Sequence, residues 1–294
     1  MTTTPNRLLA DGVYQAKSLV SGDFYATSPK YLAYLSSAFH FSGSCHMGEA
    51  SLMASQGLLD VEVRYLDERG DWVCGPLADV DGRAVVLGRP VRGFPTYRNQ
   101  ANYPGWLWSA TMGRLVGYES LLERDRLWLA DFDPTVRGIA SQPLWMSGRD
   151  GSVLRRDVPD FLLQTETGVV VVDVKPERML ADPGISAALD WAGRMCAAKG
   201  WRFKVWSGAD PVVLRNVRFL AAGRRVDLRE AVLVKVAEGL RPGMSVREAE
   251  EASGLDQPVA RGALLSLLRQ GSWVTDLTRP LSGQSLLTPG KRAA

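Results

Sequence analysis

The sequence predicts a mixed α/β chain, and three observations predict it. A run of four valines, Val169–Val172, opens at Gly168 and closes in Asp173-Val174-Lys175. Around it the apolar patterning runs in the order helix, strands, helix, strand. Downstream of Asp210-Pro211 the pattern changes to short helices and a hairpin. A length of 294 residues suits about two domains of ~150 residues each. With 46% hydrophobic and 23% charged residues, the chain can build a sizeable core and is neither disordered nor fibrous.

Each element has its own signal. Residues 1 to about 60 mix Tyr31-Leu32-Ala33-Tyr34-Leu35 with Ser/Gly-rich pieces and carry no assignable role. Val61, Val63 and Tyr65 alternate before the turn Asp67–Gly70, and Trp72 and Val73 follow it, which predicts a hairpin in a small β-module. The aromatic, Pro-punctuated segment Phe94–Gly113 fits neither helical nor strand period; its aromatics would either stack on bases or pack beneath the next domain. A helix is predicted over Met112–Ala130, stopping before Asp133-Pro134. An extended piece, Val136–Pro143, and a strand around Val153–Leu163 come next. The valine run is short and β-branched, which favours a buried strand. A helix over Ile185–Lys199, capped by Gly200, precedes a strand Trp201–Trp206.

Further on, Leu228–Leu240 is helical. Ser245 with Glu248 makes a capping box for a second helix, and Gln257–Gln270 forms a third, ended by Gly271. The extended pieces Trp273–Leu277 and Ser285–Leu287 complete what matches a winged helix-turn-helix. The expected division is residues 1–105, an N-terminal β-rich extension; 106–208, a central α/β domain; and 211–294, the winged helix.

Composition narrows the chemistry. Lys+Arg is 35 against Asp+Glu 32, a net charge of +3, which argues against a wholesale neutraliser of nucleic acid but not against a local basic patch. Lysine occurs only at 17, 30, 175, 199, 204, 235 and 291; the Arg excess reflects either genome composition or phosphate binding. The only histidines are His40 and His46, and Cys45, Cys74 and Cys196 are an odd, widely spaced three. That disfavours a disulfide framework or a Cys-rich zinc site and suggests a reducing compartment; Cys45-His46 lacks the other half of a metal site. No apolar run nears the length of a membrane span and no signal-peptide core opens the chain, so a cytoplasmic protein without membrane partners is expected.

The chemical signal is Pro159-Asp160 in one strand and Asp173-Val174-Lys175 closing the next. Asp173 and Lys175, two apart on a strand, share a face, and Asp160 lies across the Gly168 turn from Asp173. Two carboxylates at one sheet end form a hard, oxygen-rich site suited to Mg²⁺ or Mn²⁺, with Lys175 placed to hold a water or developing charge. Such a set suits phosphodiester hydrolysis; the alternative is an Asp173–Lys175 pair at a solvated strand end. On the upstream helix, Glu123 aligns with Leu127 and Ala130 on an apolar stripe, which makes it the next candidate ligand. The alternative for Glu123 is an exposed position beside Arg124 and Arg126.

These residues resemble a known group. A helix Glu, then PD, then D-x-K is the order of the PD-(D/E)XK nuclease superfamily. More narrowly, about Phe94 to Trp206 resembles TnsA-like endonuclease subunits of heteromeric transposases. The resemblance rests on Phe94–Arg98, Pro104-Gly105, Gly117–Asp125, Asp133-Pro134 with Val136, Ser141-Gln142-Pro143, Arg156 with Pro159-Asp160-Phe161, and Val172–Pro176. It implies a restriction-endonuclease-like mixed sheet flanked by helices, with Glu123, Asp160 and Asp173 as metal-binding acids and Lys175 as the catalytic lysine. It also implies cleavage of one DNA strand at each transposon end, beside a DDE-type transposase and an AAA+ ATPase regulator. Some members carry Gln where Asp173 stands, and there this chain departs toward the restriction-enzyme pattern. Arg98, Gln142, Arg261 and Arg269 are candidate DNA contacts, with Gln257 and Arg279 near the same helix and wing. The winged helix would either read DNA or dock protein, since Glu248, Glu250, Glu251 and Asp256 crowd its neighbourhood. Competing readings are a stand-alone defence nuclease and a catalytically inactive DNA-binding adaptor.

Overall fold

A computed structural model of the chain describes residues 60–96, 100, 102–225 and 229–290. The stretch before Asp60 lies outside the described residues, and so do Arg98, His40, Cys45 and His46. The alternation at Val61–Tyr65 becomes strand β1 (Glu62–Leu66), and the expected turn leads into β2 (Trp72–Pro76). Asp67 Oδ1 accepts the N–H groups of Gly70 and Asp71, and Gly70 takes φ +96° there. On its other edge β1 pairs with β6 (Trp145–Asp150), which pairs with β7 (Val153–Asp157), so the sheet order is β2-β1-β6-β7. The expected β-module is therefore half of a sheet whose other half lies beyond residue 105.

A second four-stranded sheet runs in the order β10 (Arg202–Trp206), β9 (Gly168–Val174), β8 (Phe161–Thr165) and β5 (Val136–Ser141). β10 is parallel to β9, and the other pairings are antiparallel. The segment predicted as one strand over Val153–Leu163 is two, in two different sheets, because Val158-Pro159-Asp160 breaks the run. Gly168 makes the tight β8–β9 turn with φ +114°, a conformation a side chain would strain. The predicted helix over Met112–Ala130 needs correction too. Its first half is strand β4 (Arg114–Tyr118), where exposed Leu115 and buried Val116 follow period two. β4 pairs with β3 (Gly105–Ser109), drawn from the segment that fitted no period. Helix α2 (Leu121–Phe132) starts only after Ser120, whose Oγ accepts the Glu123 N–H. It follows α1 (Gly82–Leu87) in the chain and ends at Asp133, as expected from Asp133-Pro134.

Helix α3 (Pro183–Ala198) buries Trp191, Ala192 and Cys196 in the core that joins the two larger sheets. Full burial of side chains such as Leu77 or Leu162 in that core stabilises by about 1.5–3 kcal/mol each. A second core lies on the opposite face of the β5–β8–β9 hairpins, where Leu127 and Ala130 of α2 meet Ile139, Phe161 and Val172. Sequence patterning passed over α4 (Pro211–Leu220), which Asp210 caps with Pro211 in its first turn. It packs with α5 (Glu230–Gly239), α6 (Val246–Ala252) and α7 (Gln257–Gln270) around a third core, closed by β11 (Trp273–Val274) and β12 (Thr288–Pro289). The Ser245–Glu248 capping box opens α6 as expected. Among the described residues no helix is long and apolar enough to cross a membrane. Cys196 is free and buried.

One contact ties the C-terminal helices to α2. Buried Asp131 accepts from Ser109 Oγ at 2.6 Å and from Thr111 N–H at 2.9 Å. Arg269 NH2 reaches its Oδ2 at 3.2 Å and its carbonyl at 3.0 Å. Burial pushes the Asp131 carboxyl up, but the Ser109, Thr111 and Arg269 contacts outweigh it and hold the group below the ordinary carboxylate range. Asp131→Asn, which strands Arg269, should cost roughly 2–4 kcal/mol in urea unfolding at neutral pH. The Asp131 stabilisation is complete above the ordinary carboxylate range and is lost as pH falls through the lowered folded value. Stability measured against pH should therefore show a shallower acid limb in the variant.

Candidate active site

The β8–β9 hairpin sets the geometry. Phe161 pairs with Val172, so the next step outward brings Asp160 beside Asp173 on one face, as the sequence predicted. The Val174 N–H donates to Asp160 Oδ2 at 2.6 Å. Lys175 Nζ stands 3.5 Å from that same oxygen and 3.8 Å from Asp173 Oδ1. The lysine backbone is held by its N–H to the Trp206 carbonyl at 3.0 Å, which ties the hairpin end to β10. Asp160 and Asp173 are both buried, at 7% and 1% exposure, which removes the reading of a solvated strand-end pair.

Glu123 arrives from the opposite core. It sits in the first turn of α2, where its Oε1 accepts from Ser120 Oγ and its Oε2 from the Glu119 N–H, each at 2.8 Å. Only 7% of it is exposed, against the alternative of a surface position beside Arg124 and Arg126. Burial, helped by the charge of Asp160, pushes its carboxyl up to about 7. Glu119, by contrast, faces the rim and lies 3.8 Å from Arg92.

A further carboxylate escaped the sequence reading. Asp157 ends β7 three residues before Asp160, and its Oδ2 is buried without a hydrogen-bond partner. Burial raises it to about 6; Lys175 opposes that rise and Asp160 adds to it. Asp173 is raised well above its ordinary value by burial and then by the Asp157 charge. The pair Asp157 and Asp160 in Arg156-Asp157-Val158-Pro159-Asp160 was a visible signal, but the strand break that turns both into one cluster was not.

Gln142 is the other surprise. It follows β5, takes φ +43°, is fully buried, and neither side-chain atom has a hydrogen-bond partner. Its N–H donates to the Asp160 carbonyl at 2.9 Å. A side chain with 0% exposure has no surface to offer DNA, so Gln142 belongs to the interior of this site. Arg261 makes a two-point ion pair with Glu250, at 2.5 and 2.8 Å. Arg269, 16% exposed, is engaged with Asp131. Gln257 and Arg279 are exposed, and neither they nor Arg261 and Arg269 join the carboxylate cluster.

Both oxygens of Asp173 and Oδ2 of Asp157 are buried and unpaired by hydrogen bonds, a donor set of hard oxygens that suits a divalent cation. As they stand, no three His, Cys, Asp or Glu side chains among the described residues form a group that could hold a metal ion. Glu123 is turned to its own helix start, and Lys175 holds the charge between Asp160 and Asp173. No protein-family model matches the chain, and no curated protein matches it.

The raised carboxylates have a consequence without divalent cation. A carboxyl whose folded value exceeds its unfolded one makes the fold less stable as pH rises between the two. For Glu123 that interval runs from 4.5 to about 7, and for Asp157 from 3.8 to about 6. Asp173→Asn, which removes the most strongly raised of these carboxyls, should thus raise the chelator-treated protein's stability at neutral pH. That gain should shrink to nothing as the pH falls below 4, and saturating Mg²⁺ should stabilise only the wild type; thermal melts across pH check both.

Proposed function

We propose that this chain is a divalent-metal-dependent DNA endonuclease that hydrolyses phosphodiesters, as the TnsA-like resemblance implies. The observation that carries the reading is the Lys175 ammonium set between the buried Asp160 and Asp173 at 3.5 and 3.8 Å. The central region is read as a restriction-endonuclease-like fold, its mixed sheet flanked by α2 and α3. Asp160 and Asp173, with Glu123, would hold Mg²⁺ or Mn²⁺, which supplies polarisation of a phosphoryl oxygen and a more acidic water. Lys175 holds the attacking water or the charge that develops on phosphate. Burial of the cluster strengthens each of these interactions by excluding solvent.

Action at transposon ends, alongside a DDE-type transposase and an AAA+ ATPase regulator in the cytoplasm, belongs to the same proposal. Within it, the winged-helix reading of the C-terminal helices favours protein docking over DNA reading. Arg261 is paired with Glu250, Arg269 is turned inward, and a cavity of about 160 Å³ lies against Phe219, Leu264, Leu265 and Leu268.

Nicking of supercoiled and end-bearing DNA with Mg²⁺ or Mn²⁺, alone and with the products of adjacent genes, tests the central claim. Asp160→Ala, Asp173→Ala and Lys175→Ala should each lower the rate by at least ~10²-fold. DNA binding in Ca²⁺ should persist in all three. Equal cutting by all four proteins rejects the assignment.

A further inference from the structure

Arg92 lies beside Glu119, whose N–H binds Glu123, within electrostatic reach of the carboxylate cluster, and took no part in the sequence reading. It lies in the strap between α1 and β3. Backbone bonds from Arg89 N–H to the Leu66 carbonyl (3.1 Å) and from Val91 N–H to the Gln142 carbonyl (2.9 Å) pin that strap to both large sheets. The guanidinium lies 5.9 Å from the Trp145 ring centroid, a cation–π contact that fixes its plane. Its NH2 makes an ion pair with Glu119 Oε2 at 3.8 Å, longer than a hydrogen bond, and its Nε is buried with no hydrogen-bond partner. Its charge is felt by Asp157 on the far side. Arg92 is thus oriented and 29% exposed. The nearby ammonium of Lys175 is committed to Asp160 and Asp173.

A crowded set of carboxylates repels the phosphate it is meant to cut, so a second cation at the mouth serves the approach. A guanidinium suits this better than an ammonium, because its fork meets two non-bridging oxygens at once. We propose that Arg92 is the phosphate-binding residue of this site, gripping a backbone phosphodiester of duplex DNA at the mouth of the carboxylate cluster. The assignment rests on the nuclease reading and adds a substrate contact to it.

The test measures duplex DNA binding by the full chain in Ca²⁺ across a KCl series, beside nicking in Mg²⁺. Losing one phosphate contact should flatten the slope of log affinity against log salt by about 0.9 in Arg92→Ala. Affinity at low salt should fall roughly tenfold. Arg92→Lys should keep the slope and bind several-fold more weakly. Arg92→Gln repeats the slope test if the alanine variant does not fold. Arg137→Ala, at the far end of β5, should match the wild type. A merely structural Arg92 would lower the melting temperature and leave the slope untouched; a wild-type slope in both neutral variants overturns the proposal even if the protein nicks DNA. A flattened slope without wild-type nicking, even with the products of adjacent genes present, keeps Arg92 and sinks the nuclease reading, and a wild type that binds no duplex sinks both.

Discussion

The structure turns on an ammonium shared between two buried aspartates at the end of one hairpin. Lys175 touches Asp160 and Asp173 at ion-pair distance, and the Val174 N–H secures Asp160. Around this pairing the chain has gathered more negative charge than one lysine can offset, since Asp157 and Glu123 also crowd in and are driven toward their protonated forms by burial. Six of the eleven buried, unpaired polar side-chain atoms among the described residues belong to Arg92, Gln142, Asp157 and Asp173. Folding would discard such an arrangement if stability were the only demand, because each unpaired buried group costs about 1–3 kcal/mol. Retaining it points to a site that another partner completes.

Helix α2 makes that site part of a larger unit. Its first turn carries Glu123 and its last carries Asp131. Between them Asp125 pairs with Arg218 of α4, while Asp131 meets Arg269 of α7. A shift of the C-terminal helices therefore acts on the same twelve-residue rod that presents Glu123. The two arginines contribute through charge that is partly or wholly desolvated, where an ion pair is costly to break even if its net worth is modest.

Much of the hairpin was legible because strand period and a glycine turn are local facts. Gly168 and the β-branched run dictated where β8 and β9 fold back, and the fold-back brought Asp160 to Asp173 without any long-range information. The helices with sharp end signals were legible for the same reason: Ser245 with Glu248, and Gly271 after Gln270, where φ is +73°. Glu123 was placed on the right stripe although the helix was begun too early, because Leu127 and Ala130 lie beyond the error. The early start came from reading Val116 as a helical position when its partner across the β3–β4 ladder is Leu107. That partner lies in the neighbouring segment, whose prolines and aromatics hid its strand period.

What stayed hidden depended on contacts between distant segments. Arg269 looked like a helix-surface cation, and only the meeting with Asp131, 138 positions away, turns it inward. Asp157 fell inside the single strand expected over Val153–Leu163, and only the separation of β7 and β8 into different sheets sets it where its charge acts on Asp173. Gln142 shows the limit most sharply. The resemblance made it a candidate DNA contact, but it is fully buried, and its carbonyl accepts the Val91 N–H of the strap. Covered in this way, an amide held at φ +43° next to the Asp160 carbonyl is shielded from solvent yet adjacent to the carboxylate end of the hairpin. Burying a strained polar residue there is intelligible if the strap that buries Gln142 is the same one that carries Arg92 to the mouth of the site. One segment then closes the interior of the cluster and sets the cation at its entrance.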